Sequence, residues 1–165
     1  RFFAVKDSDL TSTWSGSTLD NITGAQSRYT DNAGKHGWYM NLSGSGEKVL
    51  GEATVFGGSV YFTTYMPGGV GVTDPCNAAG TAKLYGVAYI EGAGSLTGNA
   101  RSITLGVGIP TAPTLSLNPY SPNPDLYVTV SGGSGTGSTT MRAPVNPSGA
   151  SNRTNILHWR DRRVQ

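Results

Sequence analysis

The amino-acid sequence predicts an all-β fold, on three observations. Its 165 residues include 24 glycines and 9 prolines, which indicates many turns rather than long helices. Only 13% of the residues are charged, and no window shows the apolar spacing of three and four residues that an amphipathic helix requires. Three runs between residues 49 and 90 are rich in β-branched and aromatic residues. Together these features favour a single all-β domain or fragment over residues 1–165.

The three central runs, residues 49–56, 59–66 and 83–90, predict an antiparallel meander. Gly57 and Gly58 separate the first two runs and permit the positive φ angles of a two-residue hairpin turn. In residues 59–66 the large apolar side chains do not alternate with polar ones, so we expect both faces of this strand to contact other protein. A long loop rich in Gly, Pro and Asp leads to the third run.

The same central region carries a family resemblance. Residues 46–50 read GEKVL, residues 57–67 read GGSVYFTTYMP, residues 74–76 read DPC, and residues 84–87 read LYGV. This order of a basic strand start, a Gly-Gly hairpin, an FTT strand, a DPC loop and an LY strand resembles a late blade of a known propeller. That propeller is the C-terminal β-propeller of the PilY/PilC family of type IV pilus-tip adhesins and biogenesis proteins.

Four further segments resemble parts of the same family. They are residues 1–7 (RFFAVKD), 37–42 (GWYMNL), 106–113 (GVGIPTAP) and 156–161 (ILHWRD). The resemblance divides the chain into entry strands with a long loop (1–42), a best-defined blade (43–100) and a terminal blade with a C-terminal tail (101–165).

The resemblance also implies how the sheets are composed. Residues 37–42 and 49–90 are expected to form the best-defined sheet, and residues 126–160 the terminal one. A β-propeller usually needs four to eight blades, of which this length supplies about three at most. We therefore expect antiparallel meanders that are the last blades of an incomplete β-propeller, with long Gly/Ser/Pro-rich loops. The missing blades are expected on a precursor or a partner chain, with sequence preceding Arg1.

The resemblance implies a non-enzymatic function. Family members are surface proteins of the type IV pilus system, placed at the pilus tip with minor or major pilins, and they promote pilus assembly and attachment to host or abiotic surfaces. It therefore implies an extracellular bacterial protein at the cell surface or pilus tip.

Two other functions stay open. Because an incomplete propeller exposes strand edges, the chain could be a processed structural subunit that completes a β-sheet of another chain in an extracellular filament. A quinoprotein-like propeller enzyme is disfavoured, since the sequence has no adjacent-cysteine pair and no repeating Trp motif. The two histidines, His36 and His158, lack an Asp or Ser at a spacing typical of a triad, and catalysis is not expected.

Cys76 is the single cysteine, which excludes an intrachain disulfide, a CxxC metal site and c-type haem attachment. Three roles stay open for it: a small buried apolar residue, a disulfide to a missing segment or partner chain, and a reactive thiol. Because the chain looks like a fragment of a propeller, a disulfide from Cys76 to a missing segment or a partner chain is an attractive interpretation.

No cofactor is predicted, although calcium is considered. Asp7 and Asp9 place carboxylates at alternate positions, as the start of a calcium loop does. The glycine and glutamate expected later in such a loop are missing, so a surface turn is favoured. Asp74 before Pro75 is likewise typical of a turn, because its carboxylate can accept hydrogen bonds from the backbone.

Two loops are predicted to contribute to a contact surface. Residues 9–32 carry Trp14 and Tyr29, which either pin the loop to the body, the favoured role, or form a recognition surface. Residues 70–79, with Asp74 and Pro75, form the second loop. The Ser/Gly segment at residues 131–138 is expected to be a long hairpin loop or a mobile contact surface.

The charge pattern does not predict a nucleic-acid interface. The net charge is only +2, and the local cluster of Arg160, Arg162 and Arg163 is interrupted by Asp161, as in a solvated tail. No apolar run approaches the roughly 20 residues that a membrane-spanning helix needs. Neither nucleic acid nor a direct membrane span is therefore among the expected partners.

Overall fold

The computed structural model describes residues 1–6, 15–25, 27–31, 34–68, 80–117, 124–132 and 137–145. These residues form β-strands and two short 3-10 turns, Gly16–Thr18 and Thr97–Asn99, which confirms the all-β prediction. In chain order the strands are β1 (Phe2–Val5), β2 (Asp20–Asn21), β3 (Gly37–Met40), β4 (Lys48–Val49), β5 (Thr54–Phe56), β6 (Ser59–Met66), β7 (Thr81–Ala88), β8 (Ser102–Val107), β9 (Thr114–Ser116), β10 (Asp125–Val130) and β11 (Thr139–Pro144). They form three separate sheets, none of which is closed.

The central sheet contains the predicted meander. β6 and β7 pair antiparallel along their full lengths, β4 and β5 pair with the other edge of β6, and β8 pairs with β7. Gly57 and Gly58 have φ angles of 56° and 80°, which confirms the two-residue hairpin turn. β8, at residues 102–107, therefore belongs to the same sheet as β6 and β7.

The prediction of one continuous strand over residues 49–56 is wrong. The chain leaves β6 after β4 and returns to it as β5. Between the two strands it lies against the segment that follows β8: a Cβ on Gly51 would be 3.1 Å from the backbone of Ala112. Thr54 Oγ1 donates a hydrogen bond of 2.7 Å to the carbonyl of Pro113. These contacts hold the detour against its neighbour.

The N-terminal sheet has the strand order β1-β3-β2. β1 is antiparallel to β3, whereas β2 is parallel to it. The expectation that residues 37–42 join the central sheet is wrong, because both edges of β3 are occupied by β1 and β2. The region of residues 9–32 also contains more structure than a loop, since it supplies β2 and the buried side chain of Ile22.

The C-terminal sheet has the order β11-β10-β9 and is antiparallel throughout. Residues 131–138 join β10 to β11, which are paired from Val130 opposite Thr139 onward, so this segment connects a hairpin. Residues 146–165, which include the expected final strand at 156–161, lie outside the described residues.

Two hydrophobic cores cover the two faces of the central sheet. One lies against the C-terminal sheet and comprises Tyr61, Ala82, Leu84, Leu96, Leu105, Leu126, Val128, Val130, Ala143 and Val145. The other lies against the N-terminal sheet and comprises Ile22, Tyr29, Trp38, Met40, Val60, Phe62, Tyr85 and Val87. β6 contributes Tyr61 to the first core and Phe62 to the second, which confirms that both of its faces are covered. The three sheets are therefore stacked as three layers.

Phe62 links the N-terminal sheet to the central one. Its fully buried ring stacks on Phe2 of β1, with centroids 4.5 Å apart, and on Tyr85 of β7, with centroids 5.0 Å apart. Both ring pairs are nearly parallel, at 7° and 3°. This column of three rings is a direct packing contact between the two layers.

We expect Phe62→Ala to destabilise the fold by about 4 kcal/mol, because it removes a fully buried ring and leaves a cavity between two layers. Urea unfolding, followed by intrinsic fluorescence, measures the change. Val55→Ala is the matched control, since Val55 is 65% exposed on β5 and its truncation should change the free energy of unfolding by less than about 0.5 kcal/mol. Equal effects of the two substitutions would contradict the assigned packing.

Candidate functional site

An apolar cleft of ≈ 380 Å³ opens where the N-terminal sheet meets the turn after β7. It is lined by Ala4, Val5, Lys6, Tyr29, Asp31, Gly37, Trp38, Tyr89 and Ile90. Its volume lies in the range of small-ligand pockets, and its walls are mostly carbon atoms with one ion pair.

Trp38 on β3 fixes the floor of the cleft. Its indole is buried, and Nε1 donates to the carbonyls of Tyr89 and Ile90 at 3.1 Å each. Gly37 precedes it with φ of 137°, and a Cβ at that position would be 2.1 Å from the carbonyl oxygen of Ala4. Only glycine permits β3 to approach β1 this closely. The floor is therefore joined both to β1 and to the turn.

Tyr89 and Ile90 form the outer wall. They were predicted to continue the third strand, but β7 ends at Ala88, where the amide of Gly92 bonds back to the Ala88 carbonyl at 2.8 Å. Gly92 has φ of 71°, which suits this tight turn. The turn leaves the side chain of Ile90 69% exposed and that of Tyr89 48% exposed.

Tyr29 closes the inner end of the cleft. Its side chain is 8% exposed, its amide bonds to the carbonyl of Glu91 at 3.0 Å, and its hydroxyl donates to the carbonyl of Lys35 at 3.0 Å. These bonds hold the Tyr29 segment against the body of the fold, and its ring packs in the core beside the cleft.

An ion pair marks the rim. Lys6 Nζ lies 2.6 Å from Asp31 Oδ2, and both side chains are exposed. The hydrogen bond and charge of Lys6, with a further bond from Tyr29, hold the pKa of Asp31 below its usual value, and Asp31 raises the pKa of Lys6 in turn. Burial, followed by the bond to Asp31, raises the pKa of Tyr29. At neutral pH the rim thus carries one positive and one negative charge beside apolar walls.

A second polar cluster lies inside the fold, around Glu47. The Glu47 side chain has no exposed surface, and its Oε1 accepts hydrogen bonds from Thr64 Oγ1 at 2.6 Å and from the Tyr85 hydroxyl at 3.0 Å. Its Oε2 accepts from the Gly44 amide at 2.7 Å and lies 3.6 Å from Lys83 Nζ. Every contact presents a donor to the carboxylate, so the cluster accommodates Glu47 in its charged form.

The pKa values reflect this arrangement. Burial alone raises the pKa of Glu47, but the bonds from Thr64, Gly44 and Tyr85 and the charge of Lys83 outweigh it, and the net pKa is lowered. Burial and the neighbouring Glu47 charge raise the pKa of Tyr85 to about 12. Because its donors and its cation hold the carboxylate in place and the cluster lies inside the packed sheet, we assign it a structural role.

Few of the other predicted site residues lie within the described ranges. Outside the described ranges lie Asp7, Asp9, Trp14, Asp74, Pro75, Cys76 and His158. His36 is half-buried at the start of β3, where its backbone bonds to Lys6 and Thr18 at 2.8 and 2.9 Å. Within the described part of the chain, no group of three or more His, Cys, Asp or Glu side chains could hold a metal ion. No described helix is long and apolar enough to cross a bilayer.

Neither the cleft nor the burial of Glu47 was predicted from the sequence. Trp38, Tyr89 and Ile90 were each included in strand predictions, and nothing in their local pattern indicates that they meet around one cleft. The sequence does carry a signal for Glu47. It is the only charged residue among residues 41–47, and it stands directly before β4, the strand that pairs with β6.

The apolar walls of the cleft suit a large apolar group of a ligand, and the ion pair at its rim suits polar groups beside it. The arrangement therefore favours binding.

Comparison of the chain with protein-family models, curated protein sequences and solved structures finds no significant match.

We expect Glu47→Gln to lower the free energy of unfolding by about 2 kcal/mol at pH 7, because a Gln amide presents a donor to groups that are themselves donors. The folded-state pKa of Glu47 is lowered from 4.5, so its contribution is present above that pH and is lost as pH falls through the folded pKa. The difference between wild type and variant should therefore shrink below about pH 4.

Urea titrations between pH 7 and pH 3 measure this convergence. Glu52→Gln is the matched control, since Glu52 is exposed next to the same sheet. A constant difference across this pH range would contradict the charged network.

Proposed function

We propose that this chain is a non-enzymatic cell-surface component of the type IV pilus system. In this proposal it is the C-terminal part of a pilus-tip adhesin, it acts extracellularly, and it promotes pilus assembly and surface attachment together with pilins. The family resemblance supplies the biological setting. The apolar cleft, whose outer wall projects into solvent, is the observation that favours a contact function.

The stacking of the sheets supports the propeller part of the proposal. Consecutive propeller blades pack face to face, so a middle blade is covered on both sides. The central strands β6 and β7 are buried on both faces between two other sheets, as strands of a middle blade would be. The N-terminal and C-terminal sheets have three strands each, and a four-stranded blade would require one more strand in each.

The exposed apolar residues support the contact function. Ile90, Tyr89 and Val5 line the cleft, and each is about half exposed or more. Neighbouring exposed apolar residues rimmed by charges are typical of interaction sites, whereas isolated ones need no explanation. An apolar partner group that fills the cleft would remove these side chains from water.

We expect Ile90→Lys, made in the bacterium that encodes the protein, to reduce surface attachment about tenfold, because loss of a central apolar contact commonly costs more than about 1 kcal/mol. Val55→Lys is the control, since Val55 is similarly exposed on an edge strand away from the cleft. Attached cells and surface pili are counted in parallel. Wild-type attachment and piliation in the Ile90 variant would reject the proposal.

A second candidate function is a structural subunit that completes a β-sheet of another chain. The open sheets favour it, because an unpaired strand edge is a template for a further strand. In this case the edges, rather than the cleft, carry the function.

The two candidates differ in the behaviour of the purified chain. A contact module is expected to elute from a size-exclusion column as a folded monomer, whereas a subunit that requires another chain should associate or aggregate when alone. Light scattering on the eluted peak gives the mass, and a stable monomer counts against the second candidate.

A further inference from the structure

Among the residues that the structure describes, β1 pairs only with β3, and no described strand lies along its other edge. Phe2 of β1 lies opposite Met40, and Ala4 lies opposite Trp38. Two residues further on, the Lys6 amide donates a hydrogen bond of 2.8 Å to the His36 carbonyl, so every second pair, counted back from Lys6, is a hydrogen-bonded pair. In an antiparallel ladder such pairs alternate with pairs whose backbone groups face away. The N–H and C=O groups of Phe3 and Val5 therefore point to the side of β1 away from β3.

The side chains of the same two residues face solvent. Phe3 is 50% exposed and Val5 47% exposed, whereas Phe2 and Ala4 pack against the core on the other face of the sheet. Proteins usually protect an exposed strand edge with proline, charged residues or a β-bulge. Within β1 the sequence FFAV holds no proline and no charge, and its pairing with β3 is regular, so the strand itself lacks these protections.

The charges at this edge are asymmetric. Arg1 shares the solvent-facing side with Phe3: its guanidinium carbon lies 5.0 Å from the centre of the Tyr39 ring, and its Nε donates to Asn41 Oδ1 at 3.0 Å. Among the described residues, no carboxylate forms a salt bridge with Arg1, whereas Lys6 is paired with Asp31. A complementary strand would thus carry an acidic residue opposite Arg1 and apolar residues opposite Phe3 and Val5.

We propose that β1 accepts an extended segment of a partner protein as a fourth, antiparallel strand of the N-terminal sheet. The segment has the pattern apolar-x-apolar-x-acidic, read from the residue opposite Val5 to the residue opposite Arg1. Main-chain hydrogen bonds hold it to the edge, and its alternate side chains give the specificity. Val5 also lines the cleft, so the strand begins beside the apolar walls. This inference rests on the proposed contact function and names the chemistry of its partner.

The test uses the full chain and a fluorescein-labelled peptide, SVTVTEG, with binding followed by fluorescence anisotropy. Replacing Glu by Lys in the peptide should weaken binding at least fivefold, and Arg1→Glu in the protein should reverse this preference. The peptide SVTPTEG lacks an N–H that faces β1 and should bind at least tenfold more weakly. The peptide SVPVTEG lacks only an N–H that faces away, and should bind within about threefold of the parent.

Two protein variants test the edge itself. Val5→Pro removes an amide that points away from β3 and should abolish peptide binding with little change in the melting temperature. Should this variant unfold, Phe3→Lys places a charge on the exposed face and should weaken binding at least fivefold.

Equal binding of the two proline peptides, or an unchanged charge preference in the Arg1 variant, would overturn the proposal. So would a dimer of the chain that Phe3→Lys converts to monomer without added peptide, because the occupant would then be a second copy. The peptide assay requires no pili, so its failure together with reduced attachment of the Ile90 variant would reject the edge while retaining the contact function.

Discussion

The burial of β6 and β7 on both faces is the constraint on which the rest of the structure depends. Tyr61 and Phe62 are adjacent in β6, are both fully buried, and belong to different cores. Neither core can form unless an outer sheet covers the corresponding face. The N-terminal and C-terminal sheets are small, and each lies against the central pair through these cores. Their packing therefore depends on the central pair, and the central pair depends on their cover.

Because β6 and β7 are buried on both faces, their polar side chains need hydrogen-bond partners within the protein. The hydroxyls of Ser59 and Ser95 bond to each other at 2.6 Å, and Thr63 Oγ1 donates to the Thr111 carbonyl at 2.8 Å. Thr64 and Tyr85 donate to Glu47, so the carboxylate satisfies two buried hydroxyls from neighbouring strands. Glu47 thus supplies an acceptor to hydroxyls on two strands that are buried on both faces. An apolar residue in its place would leave both donors without this acceptor.

The sequence predicts those parts of the fold whose cause is local. Gly57 and Gly58 specify a hairpin through their own φ angles, and the missing alternation in residues 59–66 indicates two buried faces without knowledge of the neighbours. The sheet that contains β3 could not be predicted, because either of two sheets can accept such a strand. The cleft joins Trp38 to a carbonyl 52 residues later, and Glu47 meets Tyr85 38 residues later. Such meetings are decided by tertiary packing.

The same constraint leaves the margins of the fold for the proposed contact surfaces. Because packing covers both faces of β6 and β7, these two strands offer little surface to a partner, and the turns and outer strands remain. The turn after β7 is held by the Trp38 indole through its backbone, so its side chains are free to project. β1 is held by β3 on one edge and by Phe2 and Ala4 on one face, and no described strand pairs with its other edge. A rigid interior with exposed apolar margins favours recognition by preorganised surfaces, for which little ordering entropy is lost on binding.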